Sequence, residues 1–215
     1  MKLYYVVGSP NCRKVHAVVN HLGLSPEFEY LDFLGGDLRA PDFLAFNPNG
    51  MVPVLVDDGF VLWESNAIMQ YLADTSSENT LFPRDPKVRA DIVRWQCWEL
   101  AHYNKALGAL SFETVAKPAF LGAPPDPGTV SWASAELERH APVLDAHLRG
   151  RSFMVGERLT LADYSVAHLE GFQPATPFYW ARYPNIVAYY ERMRTNVDWS
   201  STAPTSPAAV GRRPA

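Results

Sequence analysis

Cysteine is nearly missing from this chain: Cys12 and Cys97 are the only two in 215 residues. That excludes a disulfide framework and points to a reducing compartment, the cytoplasm. No apolar run approaches the ~20 residues needed to span a bilayer. The opening "MKLYYVVG" turns after a handful of residues and is strand-like, unlike a signal peptide. Basic runs are lacking too, and the net charge is −4, so no nucleic acid and no membrane is expected as partner. The chain contains no Gly-x-Ser-x-Gly elbow and no phosphate-cradling glycine loop with a Lys-Ser/Thr ending. Its six histidines are scattered, with His140 and His147 seven apart and without other ligands, so no metal is expected.

What is present is ordinary globular material, 47% hydrophobic and 20% charged, enough for one large domain or two modest ones. The first part alternates strand and helix patterns. "KLYYVV" is a short buried strand, "CRKVHAVVNHLGL" a helix stopped at Gly23, "EFEYLDF" a second strand, and "PDFLAFNP" a short helix. "VPVLV" and "FVLWE" flank "DDG" as a hairpin, and "SNAIMQYLAD" follows as a helix capped near Ser65. The order is β-α-β-α-β-β-α, an α/β domain over residues 1–76. Polar "TSSENTLFPRDP" predicts a linker over 77–86.

Residues 87–200 read as all-α. "VRADIVRWQCWELAHYNKALGALSFETVA" forms one long helix or two abutting ones, and "PAFLGAPPDPGT" reads as a loop. Further helices follow in "WASAELERHAPVLDAHLRG", "LTLADYSVAHLEGF" and "YPNIVAYYERMRTN". Residues 201–215, "STAPTSPAAVGRRPA", are low in complexity and read as a disordered tail, with Arg212 and Arg213 solvated.

Three places carry chemistry. Ser9-Pro10-Asn11-Cys12 has the outline of a redox Cys-x-x-Cys turn with oxygen in place of the first sulfur. It joins a strand to a helix start, where unpaired N–H groups and the helix dipole favour an anion, so Ser9 either caps the helix or donates to a bound anion. Pro53, at a strand start, makes sense if Val52-Pro53 is cis and turns the Val52 backbone towards a ligand. Glu64-Ser65, at a strand-to-helix junction, suits a ligand bearing both ammonium and carboxylate: Glu64 takes the first, Ser65 and the helix N-terminus the second. In the helical half Trp95, Trp98, Glu99 and His102 share one face. Such a stripe is usually core, but Glu99 and His102 are types rarely left in a core without a task.

"SPNCRKV", "PDFLAFNPNGMVPVLVDDGFVLWESNAI" and "GERLTLADYSVA" together resemble the cytosolic glutathione transferases, over roughly residues 1 to 200. The resemblance implies a thioredoxin-like N-terminal domain, an all-helical C-terminal domain and a homodimer. It implies conjugation of glutathione, the co-substrate, to small hydrophobic electrophiles. Val52 and Pro53 would then hold the cysteinyl part of glutathione, and Glu64 and Ser65 its γ-glutamyl end. Ser9 four residues before Arg13 resembles the serine-type active site of delta-, theta- and phi-like members, in which the hydroxyl donates to sulfur. A thiol of pKa near 8.5 needs a drop of roughly 2 units, about 2.7 kcal/mol, to ionise at neutral pH. One hydrogen bond to a charged group gives about 1.5–3 kcal/mol and a helix N-terminus about 0.3–1, so no general base is required.

Asn11 is a second catalytic candidate, because a bacterial branch that reduces disulfides with glutathione resembles this turn, with Thr in place of Ser9. Cys12 is either a packed structural residue or a partner for a mixed disulfide. Met51 stands where relatives commonly carry Lys or Gln for the glycyl carboxylate, which leaves Arg39 as the substitute partner. An acid near Glu99 resembles one that approaches glutathione across the dimer, and His102, Tyr103 and Trp98 fall where the family walls its electrophile pocket. Thr160 to Asp163 form a capping box, a folding element. The alternatives to conjugation are glutathione-dependent disulfide reduction by Ser9 and Asn11, and a non-catalytic, partner-binding relative of the transferases.

Overall fold

A computed structural model describes residues 1–77, 79–205 and 209–213. The chain divides into two compact units, Met1–Phe82 with Thr195–Ala215, and Pro83–Arg194. Among the described residues no helix is long and apolar enough to cross a membrane.

The first unit is built on a four-stranded sheet in the order β2-β1-β3-β4. Strand β1 (Lys2–Tyr5) pairs parallel with β2 (Glu27–Tyr30) and antiparallel with β3 (Val54–Asp57), which pairs antiparallel with β4 (Phe60–Trp63). The β3–β4 turn consists of Asp58 and Gly59 at φ 47° and 85°. Positive φ at both central residues gives the hairpin turn whose twist matches the flanking strands, as "DDG" led one to expect.

Successive side chains of β1 point to opposite faces, so helices cover both sides. Tyr4 and Val6 pack with Phe43 and Phe46 of α2 (Pro41–Phe46). On the other face lie Leu3 and Tyr5, with Tyr5 in edge contact with His16 of α1 (Pro10–His21). Helix α3 (Ser65–Thr75) packs against α1 and both hairpin strands. The observed order is βαβαββα, the thioredoxin-like arrangement, with strands shorter than the apolar runs that announce them.

In the second unit α4 (Pro86–Trp98) starts at Asp85, whose side chain accepts from Lys87 and Val88 N–H at 2.9 Å. The helix continues through a π-helical turn at Glu99–Tyr103 into α5 (Asn104–Ser111), then through a second at Phe112–Ala116 into α6 (Lys117–Leu121). The stretch expected as one or two helices is therefore continuous, and it runs past Pro118 into the expected loop. Pro118 lacks an N–H, and a wide turn just before it already displaces the ladder, which lets the helix tolerate it. Gly122 at φ 60° ends the run. Helices α7 (Pro127–Leu148), α8 (Leu161–Ala167) and α9 (Pro184–Thr195) follow. Their core gathers Leu107, Leu110, Leu137, Leu144, Tyr164 and Tyr189, all fully buried.

Asp163 carries the capping box as expected, with Thr160 N–H and Oγ donating to its Oδ2 at 2.8 and 3.0 Å. It also accepts from Met154 N–H at 2.8 Å and the Tyr189 hydroxyl at 3.3 Å.

Two segments expected to be loose are packed. In the 77–86 segment Leu81 and Phe82 are buried, and Asn79 exchanges hydrogen bonds with Phe82. Residue 78 of that segment lies outside the described residues, as do 206–208 and 214–215 of the expected tail. The rest of the tail is attached to the first unit. Thr202 is buried and accepts from Arg13 Nε at 3.0 Å, just after helix α10 (Val197–Ser200), which was expected in the helical half but packs on α1 with Trp199 beneath the Arg13 guanidinium at 4.2 Å. Residues 209–213 bond to the backbone of Val7 and Phe33. Low complexity misled here because a few anchoring residues, Thr202, Val210 and Gly211, suffice to attach the described part of a polar segment.

Candidate functional site

The first turn of α1 and the start of α3 are tied together in the first unit. Ser9 is the N-cap of α1, and its Oγ accepts from Cys12 N–H at 3.4 Å. A hydroxyl accepts and donates at once, so capping and donating to a ligand are compatible rather than rival roles. Asn11 Oδ1 accepts from Ser65 Oγ at 3.2 Å, which joins α1 to α3 and leaves the Asn11 amide N–H groups uncommitted among the described bonds.

Glu64 is the N-cap of α3 at φ 75°, exposed and with no side-chain cap bond. A non-glycine residue held at positive φ costs on the order of 1–3 kcal/mol and persists where its surroundings enforce it, commonly at ligand sites. With no side-chain cap from Glu64, the first N–H groups of α3 are ready donors for an anion.

The Val52–Pro53 bond is cis, as expected, with Pro53 buried. The preceding loop is braced by Asn47, whose Nδ2 donates to the Met51 carbonyl at 2.8 Å and whose Oδ1 accepts from Asn49 N–H at 3.1 Å. Met51 itself is 65% exposed. Gly50 has φ 61°, and a Cβ there would stand 2.7 Å from Arg39 Nη1, so the Arg39 guanidinium lies on Gly50 beside Met51 and Val52. Glycine is required there by the positive φ and by the Leu38 carbonyl, 2.9 Å from the same Cβ position.

Cys12 is fully buried, and its thiol is pushed up to about 12, chiefly by desolvation. It is a packed thiol, unsuited to forming a mixed disulfide at neutral pH. Lys14 was missed by the sequence reading. It is fully buried, and Nζ donates to Asn66 Oδ1 at 2.7 Å, a second link between α1 and α3. Its placement on the buried stripe with Ala17 and Val18 was the available signal. Arg13 serves the fold, donating to Thr202 Oγ1 at 3.0 Å and to the Trp199 carbonyl at 3.4 Å.

The helical unit corrects two expectations. Glu99 is fully buried and accepts from Asn104 Nδ2 at 2.8 Å, with His168 Nδ1 at 3.9 Å, so it presents no surface to glutathione. Tyr103 is fully buried too, its hydroxyl 3.1 Å from that of Tyr190, and lines no substrate pocket. The two stand at helical spacing from buried Ile92, Trp95 and Gln96, so they continue the face that the core covers. His102 ends up exposed, its ring 4.9 Å from that of His140. Trp98 is half-buried, stacks on Tyr103 and lines a cavity of about 510 Å³ with Arg94, Trp95, Val143, Ala146 and His147. Burial drives the His147 imidazole below its ordinary pKa, keeping it neutral against Trp95 at 4.3 Å.

Comparison with known proteins places both halves of the chain in one family. The family model described as "Glutathione S-transferase, N-terminal domain" matches residues 3–80, and "Glutathione S-transferase, C-terminal domain" matches 116–196. Glutathione S-transferase 3 of Zea mays is 34% identical over 212 residues, covering 96% of this chain and 95% of that protein. A structure of glutathione S-transferase III in apo form superposes with TM-score 0.83 at 33% identity, covering 96% of this chain and 97% of that one. The theta class glutathione S-transferase of Xanthomonas axonopodis pv. citri, solved with glutathione bound, gives TM-score 0.83 at 27% identity over 95% and 97% of the two chains.

Proposed function

On the premise that the chain belongs to the glutathione S-transferase family, we propose that it conjugates glutathione to small hydrophobic electrophiles, with Ser9 holding the glutathione sulfur as thiolate. The observation that carries this reading is the junction of two helix starts, where Ser9, Asn11 and Ser65 gather beside Glu64 at φ 75°. Glu64 takes the ammonium of the γ-glutamyl group, and Ser65 with the first N–H groups of α3 takes its carboxylate. The Val52 main chain pairs with the cysteinyl part, next to the cis bond to Pro53. Arg39, lying on Gly50, takes the glycyl carboxylate past the apolar Met51.

The Ser9 hydroxyl accepts from Cys12 N–H and donates its hydrogen to sulfur, and Asn11 is a second donor. Ser9 never attacks; the thiolate does, and the leaving group departs from the electrophile. Trp98 and His102, which keep accessible surface, are the retained electrophile contacts, whereas Glu99 and Tyr103 are not. The buried, protonated Cys12 counts against a mixed disulfide with glutathione at that residue. A cytoplasmic homodimer is the assembly proposed on family grounds.

The test uses glutathione with an aryl halide, and separately hydroxyethyl disulfide, on wild type, Ser9→Ala and Asn11→Ala. Loss of one charge-assisted bond predicts about a 10–100-fold fall in conjugation at neutral pH for Ser9→Ala, with glutathione affinity retained. Conjugation unchanged in Ser9→Ala overturns the mechanism. Disulfide turnover far above conjugation, and lost in Asn11→Ala, replaces it with reduction.

A further inference from the structure

Lys14 has no place in the chemistry above, yet among the described residues it is the only buried lysine or arginine. A buried amine is costly unless it is hydrogen-bonded, so what Lys14 bonds is the clue to its task. It stands on α1 one turn after Asn11, and its Nζ donates to Asn66 Oδ1 at 2.7 Å. Asn66 is the second residue of α3, directly after Ser65, and is itself buried. Two side-chain pairs therefore tie α1 to successive positions of α3, Asn11 with Ser65 and Lys14 with Asn66.

The identity of the second partner matters. Asparagine is a residue type whose side-chain oxygen bonds its own or nearby backbone N–H groups, and so competes with whatever else those groups could take. At the second position of a helix the groups within reach are those of the first turn, which at α3 receive no cap from the Glu64 side chain. These are the N–H groups that the γ-glutamyl carboxylate uses in the reading above. An Asn66 oxygen folded back on them would cap α3 from within and shut the ligand out. The bond from Lys14 aims that oxygen at α1.

We propose that Lys14 is a positioning residue for the glutathione site: by holding Asn66 Oδ1 it keeps the start of α3 from capping itself and leaves its N–H groups open to the γ-glutamyl carboxylate. This rests on the start of α3 taking that carboxylate, as argued above. Lys14 has no accessible surface to offer a ligand, so it acts through Asn66. Its effect follows the carboxylate and not the sulfur.

The test compares full-length wild type, Lys14→Met and the double variant Lys14→Met/Asn66→Leu. Methionine keeps an unbranched stem in the buried slot, and leucine matches asparagine in size without an acceptor. Binding is read by calorimetry with two unreactive ligands, S-methylglutathione and its analogue lacking the γ-glutamyl α-carboxylate, S-methyl-(4-aminobutyryl)-Cys-Gly. Only the first needs the N–H groups of α3. A self-cap of ordinary strength closes the site in most molecules, and apparent affinity falls with the fraction left open. That predicts about a 10-fold loss of S-methylglutathione affinity in Lys14→Met. The carboxylate-free analogue, weaker from the outset, loses less than about 2-fold. Removing the Asn66 oxygen in the double variant returns S-methylglutathione to within about 3-fold of wild type.

A merely structural Lys14 gives another pattern: both ligands lose affinity equally, and the double variant is as weak as the single one. Either result overturns the proposal, as does an unchanged S-methylglutathione affinity in Lys14→Met. Should Lys14→Met fail to fold, the double variant decides, since replacing both partners by apolar groups of similar shape is nearly neutral for stability. A carboxylate-dependent loss of about 10-fold there overturns the proposal. If only the single variant folds, its two-ligand comparison decides. A chain that folds in neither variant makes Lys14 a folding residue and overturns the proposal too. Wild type that binds neither ligand, or both equally, removes the underlying reading instead, and that result is visible before any variant is made.

Discussion

Each unit carries a cluster of one acid, one amide and one serine, and the two clusters are spent in opposite ways. In the first unit Glu64, Asn11 and Ser65 stand at the starts of α1 and α3, with Glu64 exposed and the amide N–H groups of Asn11 unspent among the described bonds. In the second, Glu99, Asn104 and Ser165 are buried mid-helix and close on one another. Asn104 Nδ2 donates to Glu99 at 2.8 Å and to the Ser165 carbonyl at 3.1 Å, while Gln96 Nε2 donates to Ser165 Oγ at 3.1 Å. The start of α3 has no side-chain cap, so its first N–H groups and the polar side chains collected there are left to face a ligand. Polar groups inside a helix bundle must satisfy each other, and such a network specifies packing rather than binding.

The largest effect that sharpens this contrast is expected at Asp163, the acid that caps α8 from within the second core. Asp163→Ala leaves the N–H groups of Met154 and Thr160 without their acceptor, and unsatisfied buried donors cost about 1–3 kcal/mol each. Urea unfolding should show a loss of about 3 kcal/mol. A loss under about 0.5 kcal/mol, the range of ordinary surface changes, breaks the claim that the second set of polar groups is structural.

A neighbouring pair in sequence gives a middle-sized test. Tyr103→Phe removes a buried hydroxyl contact with Tyr190 and should lower stability by about 1 kcal/mol with the electrophile KM unchanged. His102→Ala, on the exposed side of the same turn, should leave stability within about 0.5 kcal/mol and raise that KM. Reversal of the two outcomes would mean that Tyr103, and not His102, is the residue that meets the electrophile.

The smallest effect concerns pH in the first unit. His16 packs between Tyr5 and Phe28, its Nδ1 is buried without a partner among the described residues, and desolvation lowers its pKa. A histidine whose folded pKa is depressed binds fewer protons folded than unfolded. Its contribution is therefore present above the unfolded pKa of about 6.5 and is lost as pH falls below it. His16→Phe keeps an aromatic ring in that slot, so its urea midpoint should fall less than that of wild type between about pH 7.5 and pH 5.5. Equal slopes for both proteins would show that the buried imidazole carries no pH dependence.

Much of the fold was legible because its signals are local. "DDG" names its hairpin turn, Thr160 and Asp163 name their cap, and Pro53 and Glu64-Ser65 mark backbone positions that only special geometry accommodates. The failures came where partners across the fold decide. Glu99 and Tyr103 were given site roles by resemblance, although both continue the buried face of Ile92, Trp95 and Gln96. Residues 209–213 looked disordered because nothing nearby in sequence announces that Val7 and Phe33 offer a free carbonyl and a free N–H.

By itself, then, the sequence determined the βαβαββα order, the helical second half and the polar groups at the two helix starts. Each depends on the hydrophobic period, a capping residue or a turn dipeptide, which act over a few residues. Only the tertiary structure decided that Glu99 is core, that Lys14 ties α1 to α3, and that the tail lies on Gly8. Those outcomes turn on which partner a polar or apolar group meets across the fold, and burial is decided by that partner rather than by the residue's own chemistry.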